Sequence, residues 1–348
     1  MLHWDPSPEI FTVPIVRWPI LWYGILFALG FVLGFPIFVG ILRRFFLQRP
    51  DFEDGELLDK TLRARALNEQ LVSNEPLEMA LPPSLARDAA CSLHPTAAQR
   101  RLKLEALLKG RVVSLHALAI RWTDRVTLHM IVATVIGARL GHYLFYERPS
   151  DYLLNPLEIL QIWKGGLASH GAAIAIVIAL ALFAWRFENK ARGLGFLHLL
   201  DFVAVPTALA GALIRIGNFF NQEILGTQTQ VPWGVVFGHP ADHSAPAPRH
   251  PVQLYEALAY FVVFFVLWRL TFKAKYLLHR GQLIGLFLIL VFGFRLIAEA
   301  FKLEQSQLMA DATSWTMGQF LSIPAILAGV GLLLRKRILD RIHSLRGQ

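Results

Sequence analysis

Arg215-Ile-Gly-Asn-Phe-Phe-Asn-Gln-Glu223 closes an apolar run that begins near residue 197, and it sets an arginine, two asparagines, a glutamine and a glutamate where the hydropathy reads membrane. A charged side chain in hydrocarbon is costly unless it is paired, so such residues by default line a site. The stretch therefore predicts a protein that handles something polar within a lipid environment. Composition agrees: 55% of the residues are hydrophobic, with nine Trp and 25 Phe, and the mean hydropathy is positive. The formal charge of +9 does not imply nucleic acid, because the basic residues form short clusters beside apolar segments, as orientation signals do. Cys91 is the only cysteine, which excludes an internal disulfide and a cysteine-based metal site and makes a nucleophilic thiol of the chain's own an unattractive reading. Met1 to Phe11 is acidic and Pro-containing with no basic n-region and does not read as a cleavable signal peptide.

Outward from that stretch, apolar segments of spanning length fall at about 19–42, 126–146, 168–186, 197–220, 253–271, 282–301 and 316–334. The expected fold is an all-α integral membrane protein, a bundle of about seven transmembrane helices forming one polytopic domain over 1–348. Lys and Arg collect at Arg43 and Arg44, Arg121 and Arg125, Arg186 to Arg192, Arg269 to Arg280 and Arg335 to Arg346. All these loops lie on one side of a seven-span chain, which the positive-inside tendency makes cytoplasmic. The N-terminus is then outside and the C-terminus cytoplasmic. Residues 49–118 mix acids and bases, contain Pro82-Pro83 and no spanning stretch, and read as a cytoplasmic insertion between the first two spans.

With that orientation, Tyr23, His170, Arg215, Asn218, Glu223, His250, Arg295 and Glu299 all fall towards the outer leaflet, although they come from different spans and from the loop 221–253. Arg295 and Glu299 are four apart and Arg215 and Asn218 three apart, so each pair shares a helical face. Plainer readings exist for several of the candidates. Arg295 with Glu299 suits a structural ion pair, Tyr23 beside Trp18 and Trp22 suits an interfacial aromatic belt, Arg139 with His142 suits polar packing between helices, and a lone His170 suits a satisfied core histidine. A guanidinium fork nevertheless matches phosphate oxygens, and a histidine or glutamate beside it can move a proton at neutral pH. The residues point to a membrane site for a phospholipid phosphate with an acid–base group next to it.

The motifs Trp22-Tyr-Gly24, Gly137-Ala-Arg-Leu-Gly141, Gly165-Gly-Leu-Ala-Ser-His-Gly171, Arg215 to Glu223, Arg249-His-Pro-Val-Gln-Leu-Tyr-Glu256, Phe294-Arg-Leu-Ile-Ala-Glu299 and Met317-Gly-Gln-Phe-Leu-Ser-Ile-Pro324 occur in an order and spacing that resembles the prolipoprotein diacylglyceryl transferase family. The resemblance covers about 1–48 and 119–348. It implies a multi-pass enzyme of the bacterial cytoplasmic (inner) membrane with its active site near the outer leaflet. Such an enzyme moves the diacylglyceryl group of phosphatidylglycerol onto the lipobox cysteine of a prolipoprotein signal peptide, forming a thioether and releasing glycerol-1-phosphate. Its implied partners are that lipid, that peptide and the surrounding membrane lipids, with no nucleic acid, cofactor or metal. By motif, Arg215 and Arg295 resemble the phosphate-binding pair, with Asn218 and Glu223 orienting headgroup and arginine. His170 resembles the base, with His250 its rival, while Tyr23 and Glu299 match functional positions and Arg139 the arginine of a Gly-x-Arg-x-Gly element.

Three departures stand against the family pattern. Val291 occupies the place of a tyrosine usual four residues before the span-six arginine, Ile214 stands where a glycine precedes Arg215, and the insertion 49–118 has no usual counterpart. Two other classes use the same arginines: a transporter or flippase for an anionic lipid, and an inactive lipid-binding homologue. A carrier needs a polar route across the membrane, and only Asp201 lies towards the inner half.

Overall fold

The computed structural model describes residues 1–14, 18–48, 115–147, 168–188, 191, 193–303 and 316–346. Long apolar runs dictate helices, because in hydrocarbon every backbone N–H and C=O must find its partner within the segment. The helices are α1 (Trp22–Leu47), α2 (Leu115–Tyr146), α3 (Ser169–Phe187), α4 (Phe196–Phe220), α5 (Val252–Leu270), the short α6 (Ala274–Leu278), α7 (Gln282–Ala298) and α8 (Met317–Arg346). A single 3-10 turn, Glu299–Phe301, extends α7. Six of these helices are long and apolar enough to cross a membrane. The chain is an integral membrane protein of helical class.

The expected span 126–146 forms the second half of α2 and is not among those six, since His129, Arg139 and His142 dilute its apolar run. The expected insertion loses its last residues to α2, which already begins at Leu115; 49–114, with Cys91, lies outside the described residues, as do Gly165 and Gly166. Compact packing divides the chain into two units, Met1–Phe38 with Val132–Gln348, and Val39–Ile131. Within the second, the Phe45 and Phe46 rings meet tilted with centroids 5.5 Å apart and Arg125 lies over the Trp122 ring at 5.1 Å.

In the first unit α4 is the central helix: it packs along α3, α5 and α7, and it is the most buried of the six. α7 packs along α5 and α8 as well. Lipid tails supply no hydrophobic drive between helices, so close approach through small residues decides the contacts. A Cβ on Gly30 or Gly34 of α1 would stand 2.9 Å from Ala210 Cβ or 3.1 Å from Pro206 Cβ of α4. Gly141 of α2 meets Gly171 of α3 in the same way, at 2.7 Å from its Cα, and Gly285 of α7 meets the carbonyl of Gly329 on α8 at 3.0 Å. Outer faces present large apolar side chains such as Val32, Trp185, Leu258 and Leu327.

Asp201, fully buried on α4, ends as a cap rather than as a station on a polar route. Its carboxylate oxygens accept from the backbone N–H of Gly281 at 2.6 Å and of Ile284 at 2.8 Å, satisfying the first turn of α7, which Gly281 enters at φ 89°.

Strands absent from the all-α expectation form two small sheets. β1 (Leu2–Trp4) runs parallel to β4 (Val235–Phe237), which pairs antiparallel with β5 (Pro248–Arg249). β2 (Glu9–Val13) pairs antiparallel with β3 (Trp18–Leu21). The first sheet ties the N-terminus to the loop between α4 and α5, over a core of Phe219, Leu225, Val235 and Phe237. Trp4 Nε1 donates to the Phe219 carbonyl at 3.1 Å, so the sheet is fastened to the end of α4.

Candidate active site

The end of α4 carries the first half of the site. Arg215 and Asn218 share a face, and Arg215 Nη1 donates to Asn218 Oδ1 at 3.3 Å. Asn218 Nδ2 in turn donates to Glu223 Oε2 at 3.0 Å, and Asn221 Nδ2 donates to Glu223 Oε1 at 3.0 Å. Glu223 sits between two residues forced into left-handed backbone, Gln222 at φ 53° and Ile224 at φ 54°. Such conformations are costly for residues with a Cβ, and for a β-branched isoleucine above all, so the surrounding contacts must hold the turn. They do: Gln253 Nε2 donates to the Glu223 carbonyl at 2.6 Å, and the Gln222 amide side chain bridges Asp5 and the backbone of His239.

α5 and the end of α7 bring the second half. Glu256, wholly buried on α5, places Oε2 3.2 Å from Arg215 Nε, near enough for an ion pair but not aligned as a hydrogen bond. Its Oε1 accepts from Lys302 Nζ at 2.9 Å, and the same ammonium donates to Glu299 Oε1 at 3.0 Å. Glu299 lies 3.6 Å from Arg295 Nε across one helical turn. A continuous chain of alternating charge therefore runs Arg215, Glu256, Lys302, Glu299, Arg295, joining α4, α5 and α7. The i,i+4 pair read from the sequence is real, but it is the last link of a longer object.

Small residues shape the space around that chain. A Cβ on Gly318 would stand 2.6 Å from Glu299 Oε2, so a side chain at the start of α8 would displace this carboxylate. Thr316 Oγ1 donates to Glu299 Oε2 at 3.2 Å and also accepts from the Gln319 backbone N–H, while Gln319 Oε1 accepts from the Thr316 N–H: a reciprocal helix cap that fixes where Glu299 is met. Tyr23, on the first turn of α1, packs its ring where Gly217 of α4 has no side chain and lies within electrostatic reach of Glu223 and Arg215. It belongs to this cluster rather than to an outlying aromatic belt. Tyr260 of α5 fits the gap left by Gly211, where a Cβ would be 3.3 Å from its Cδ2, and it lies within electrostatic reach of Arg215.

The remaining expected residues sit elsewhere around this centre. His170 is exposed on the first turn of α3, beside the Gly171 that seats α3 on α2, and is not a link in the charge chain. Arg139 is buried on α2, donating to Tyr143 Oη at 3.1 Å with its guanidinium 4.8 Å from that ring. His250 has Nδ1 3.3 Å from Tyr255 Oη and packs its ring at 5.2 Å against Phe301. Its neighbour Arg249 is buried, donates to the Gly226 carbonyl at 3.2 Å and to Ser244 Oγ at 2.9 Å, and lies near Asp242. Burial pushes the Asp242 carboxyl up, but the hydrogen bonds from Ser244 and the charge of Arg249 outweigh it and hold that group below the ordinary range.

Sequence reasoning missed Glu256, Lys302 and Tyr260 as members of the site. A signal for Lys302 existed: Arg295, Glu299 and Lys302 recur at i, i+4 and i+7, one helical stripe of alternating sign. Among the described residues no group of histidines, cysteines and carboxylates has the makings of a metal site.

Fold and site together define a multi-pass helical membrane protein that holds two guanidinium groups at a buried polar centre fit to receive an anion. The family model described as "Prolipoprotein diacylglyceryl transferase" matches residues 106–335. The chain is similar to phosphatidylglycerol–prolipoprotein diacylglyceryl transferases from Protochlamydia amoebophila, 39% identical with 97% of this chain and 95% of the relative covered, and from Chlamydia trachomatis, 35% identical over 96% and 97%. A Tolumonas auensis relative of the same name is 48% identical over 61% of this chain and 78% of its own length. The chain belongs to the prolipoprotein diacylglyceryl transferase family.

Proposed function

We propose that this transferase moves the diacylglyceryl group of phosphatidylglycerol onto the lipobox cysteine thiol of a prolipoprotein, at a site near the outer leaflet of a bacterial inner membrane, with the N-terminus outside. The reading is carried by the pairing of Arg215 and Arg295 through Glu256, Lys302 and Glu299. In both arginine–glutamate pairs the closest approach is through Nε, so neither pairing is centred on the Nη ends. Those ends are the fork that matches phosphate oxygens.

The chemistry follows from that placement. The peptide thiolate attacks the glycerol carbon esterified to phosphate; the carbon–sulfur bond forms, the carbon–oxygen bond breaks, and glycerol-1-phosphate departs with the electron pair. Negative charge grows on the leaving phosphate, where fixed guanidinium donors stabilise it more in the transition state than in the bound lipid. A free thiol near pKa ~8.5 is only a few per cent ionised at neutral pH, so a base must take its proton. His170 is that base in this reading. His250, held against Tyr255 and Phe301, organises the loop.

Asp201 speaks against a carrier: this carboxylate, expected towards the inner half, is consumed in capping α7. Tyr260 speaks for a working site despite Val291, since it supplies a hydroxyl beside Arg215. The test is reconstitution in vesicles with phosphatidylglycerol and a lipobox peptide, followed by mass spectrometry. Diacylglyceryl addition to the cysteine, with glycerol-1-phosphate released in equal amount, is the expected result; lipid movement without thioether would establish the carrier instead.

A further inference from the structure

We infer that Lys302 is a positioning residue for the lipid phosphate: by holding Glu256 and Glu299 together it keeps those carboxylates from closing on Arg215 and Arg295, and it leaves the charge chain with the single excess positive charge that a phosphodiester monoanion requires.

The geometry makes the case in three steps. Lys302 is itself almost wholly enclosed, its side chain 6% exposed, and its ammonium takes one oxygen from each glutamate at 2.9 and 3.0 Å. Each arginine is left with a weaker approach: 3.2 Å and misaligned for Arg215, 3.6 Å for Arg295. An arginine and a carboxylate left to themselves favour a two-pronged pairing that uses the Nη donors, and this is the pairing that would remove the fork from phosphate. Lys302 competes for those carboxylates and prevents it.

The backbone shows that this lysine is placed, not merely present. Lys302 pairs with Gly226 in an isolated antiparallel bridge, the Leu303 N–H donates to the Leu225 carbonyl at 3.1 Å, and the Thr227 N–H donates to the Phe301 carbonyl at 2.8 Å. The segment after α7 is thereby stitched to the loop after α4, which carries Glu223. A Cβ on Gly226 would press on Val252 Cγ2 at 2.8 Å, so the loop can lie this close to the start of α5 only with glycine there. The chain itself holds three cations and two carboxylates, hence one net positive charge. Glu223 stands beside it, answered by Asn218 and Asn221, and is the same in every variant compared below.

The inference rests on the proposed diacylglyceryl transfer, and the experiment separates the two. Phosphatidylglycerol binding is measured without peptide thiol, alongside KM and kcat for transfer, in vesicles with a zwitterionic lipid background. Wild type that neither binds nor transfers would defeat the functional reading itself. With an active wild type, Lys302→Met should weaken lipid binding and raise KM by roughly tenfold or more, with a smaller change in kcat, as expected when a charge-assisted contact is lost. Lys302→Arg should stay within about threefold, because it keeps the charge and the two-carboxylate reach. The pair Lys302→Met with Glu256→Gln restores the net charge of the chain and leaves Arg215 without a competing carboxylate, so it should recover part of the binding that Lys302→Met loses, with Glu299 still able to close on Arg295. A double variant no better than Lys302→Met, or an arginine variant as poor as the methionine one, would show that Lys302 only holds the fold. Should Lys302→Met fail to insert, the arginine and double variants still decide.

Discussion

Replacing Arg215 by lysine tests the site more sharply than removing it, because the structure assigns different atoms of this side chain to different partners. Nε faces Glu256 at 3.2 Å and Nη1 donates to Asn218 at 3.3 Å, leaving the outer donors for a phosphate. Lysine keeps the charge but has one nitrogen. It must choose between the buried Glu256 and the ligand, and a wholly buried carboxylate that has lost one partner is a strong competitor. One charge-assisted hydrogen bond is worth about 1.5–3 kcal/mol, which is roughly ten- to 150-fold. Alanine removes the electrostatic stabilisation of the leaving group as well, an effect on the order of 10²–10³ in kcat for a single fixed donor. The expected series in kcat/KM for thioether formation is therefore wild type, then lysine down by one to two orders, then alanine down further. Initial rates over a range of phosphatidylglycerol mole fractions, with membrane insertion checked by gel filtration in detergent, measure it. Lysine within about threefold of wild type would mean that a point charge suffices and that the fork argument is wrong.

If His170 takes the thiol proton, His170→Asn lowers turnover sharply near neutral pH and recovers partly at higher pH, where the peptide thiol ionises unaided, whereas His250→Asn gives a milder loss flat in pH. Equal pH-independent losses for both would remove the base role from His170. Deleting Asp51 to Lys109 and joining the ends by a flexible linker is expected to leave transfer intact, since no motif residue lies there; loss of activity with normal insertion would make the segment a recruiting element. At the N-terminus, the hydrogen bond with His239, joined by that of Gln222, holds the Asp5 carboxyl below its ordinary range. A depressed folded value means stabilisation that is present above the ordinary carboxylate range and lost as pH falls through the folded one, so the protection of the Gly238 and His239 backbone N–H groups, taken relative to their intrinsic exchange rate at each pH, should fall on acidification, and Asp5→Asn should abolish that dependence.

Membrane helices were legible because hydropathy over about 20 residues is a property of the segment alone. Their partners were not, although part of the code was in view. Gly30 and Gly34, and Gly137 and Gly141, repeat at a spacing of four that marks close helix crossings, and the structure uses both, against Ala210 with Pro206 and against Gly171. Which helix each seam meets depends on the whole bundle. The short strands escaped for a similar reason: Leu2–Trp4 has no pattern of its own and becomes a strand only because Val235–Phe237 lies beside it.

For the site, what could be read was set by distance along the chain. Arg295 with Glu299 and Arg215 with Asn218 are neighbours on one helix, and both contacts are found. Glu256 gave no hint of its role, since a glutamate four residues into a helix has many ordinary uses, and its two cations lie 41 residues before it and 46 after it. Yet burying that carboxylate without partners would be prohibitive, so its complete enclosure already requires cations from other elements. Two cations meeting one carboxylate, with a second carboxylate shared onward to Arg295, force the three helices to a common register. The same contacts that hold α4, α5 and the end of α7 together therefore also fix the separation and charge of the two arginines, and a substitution in this chain that alters catalysis should alter helix association with it.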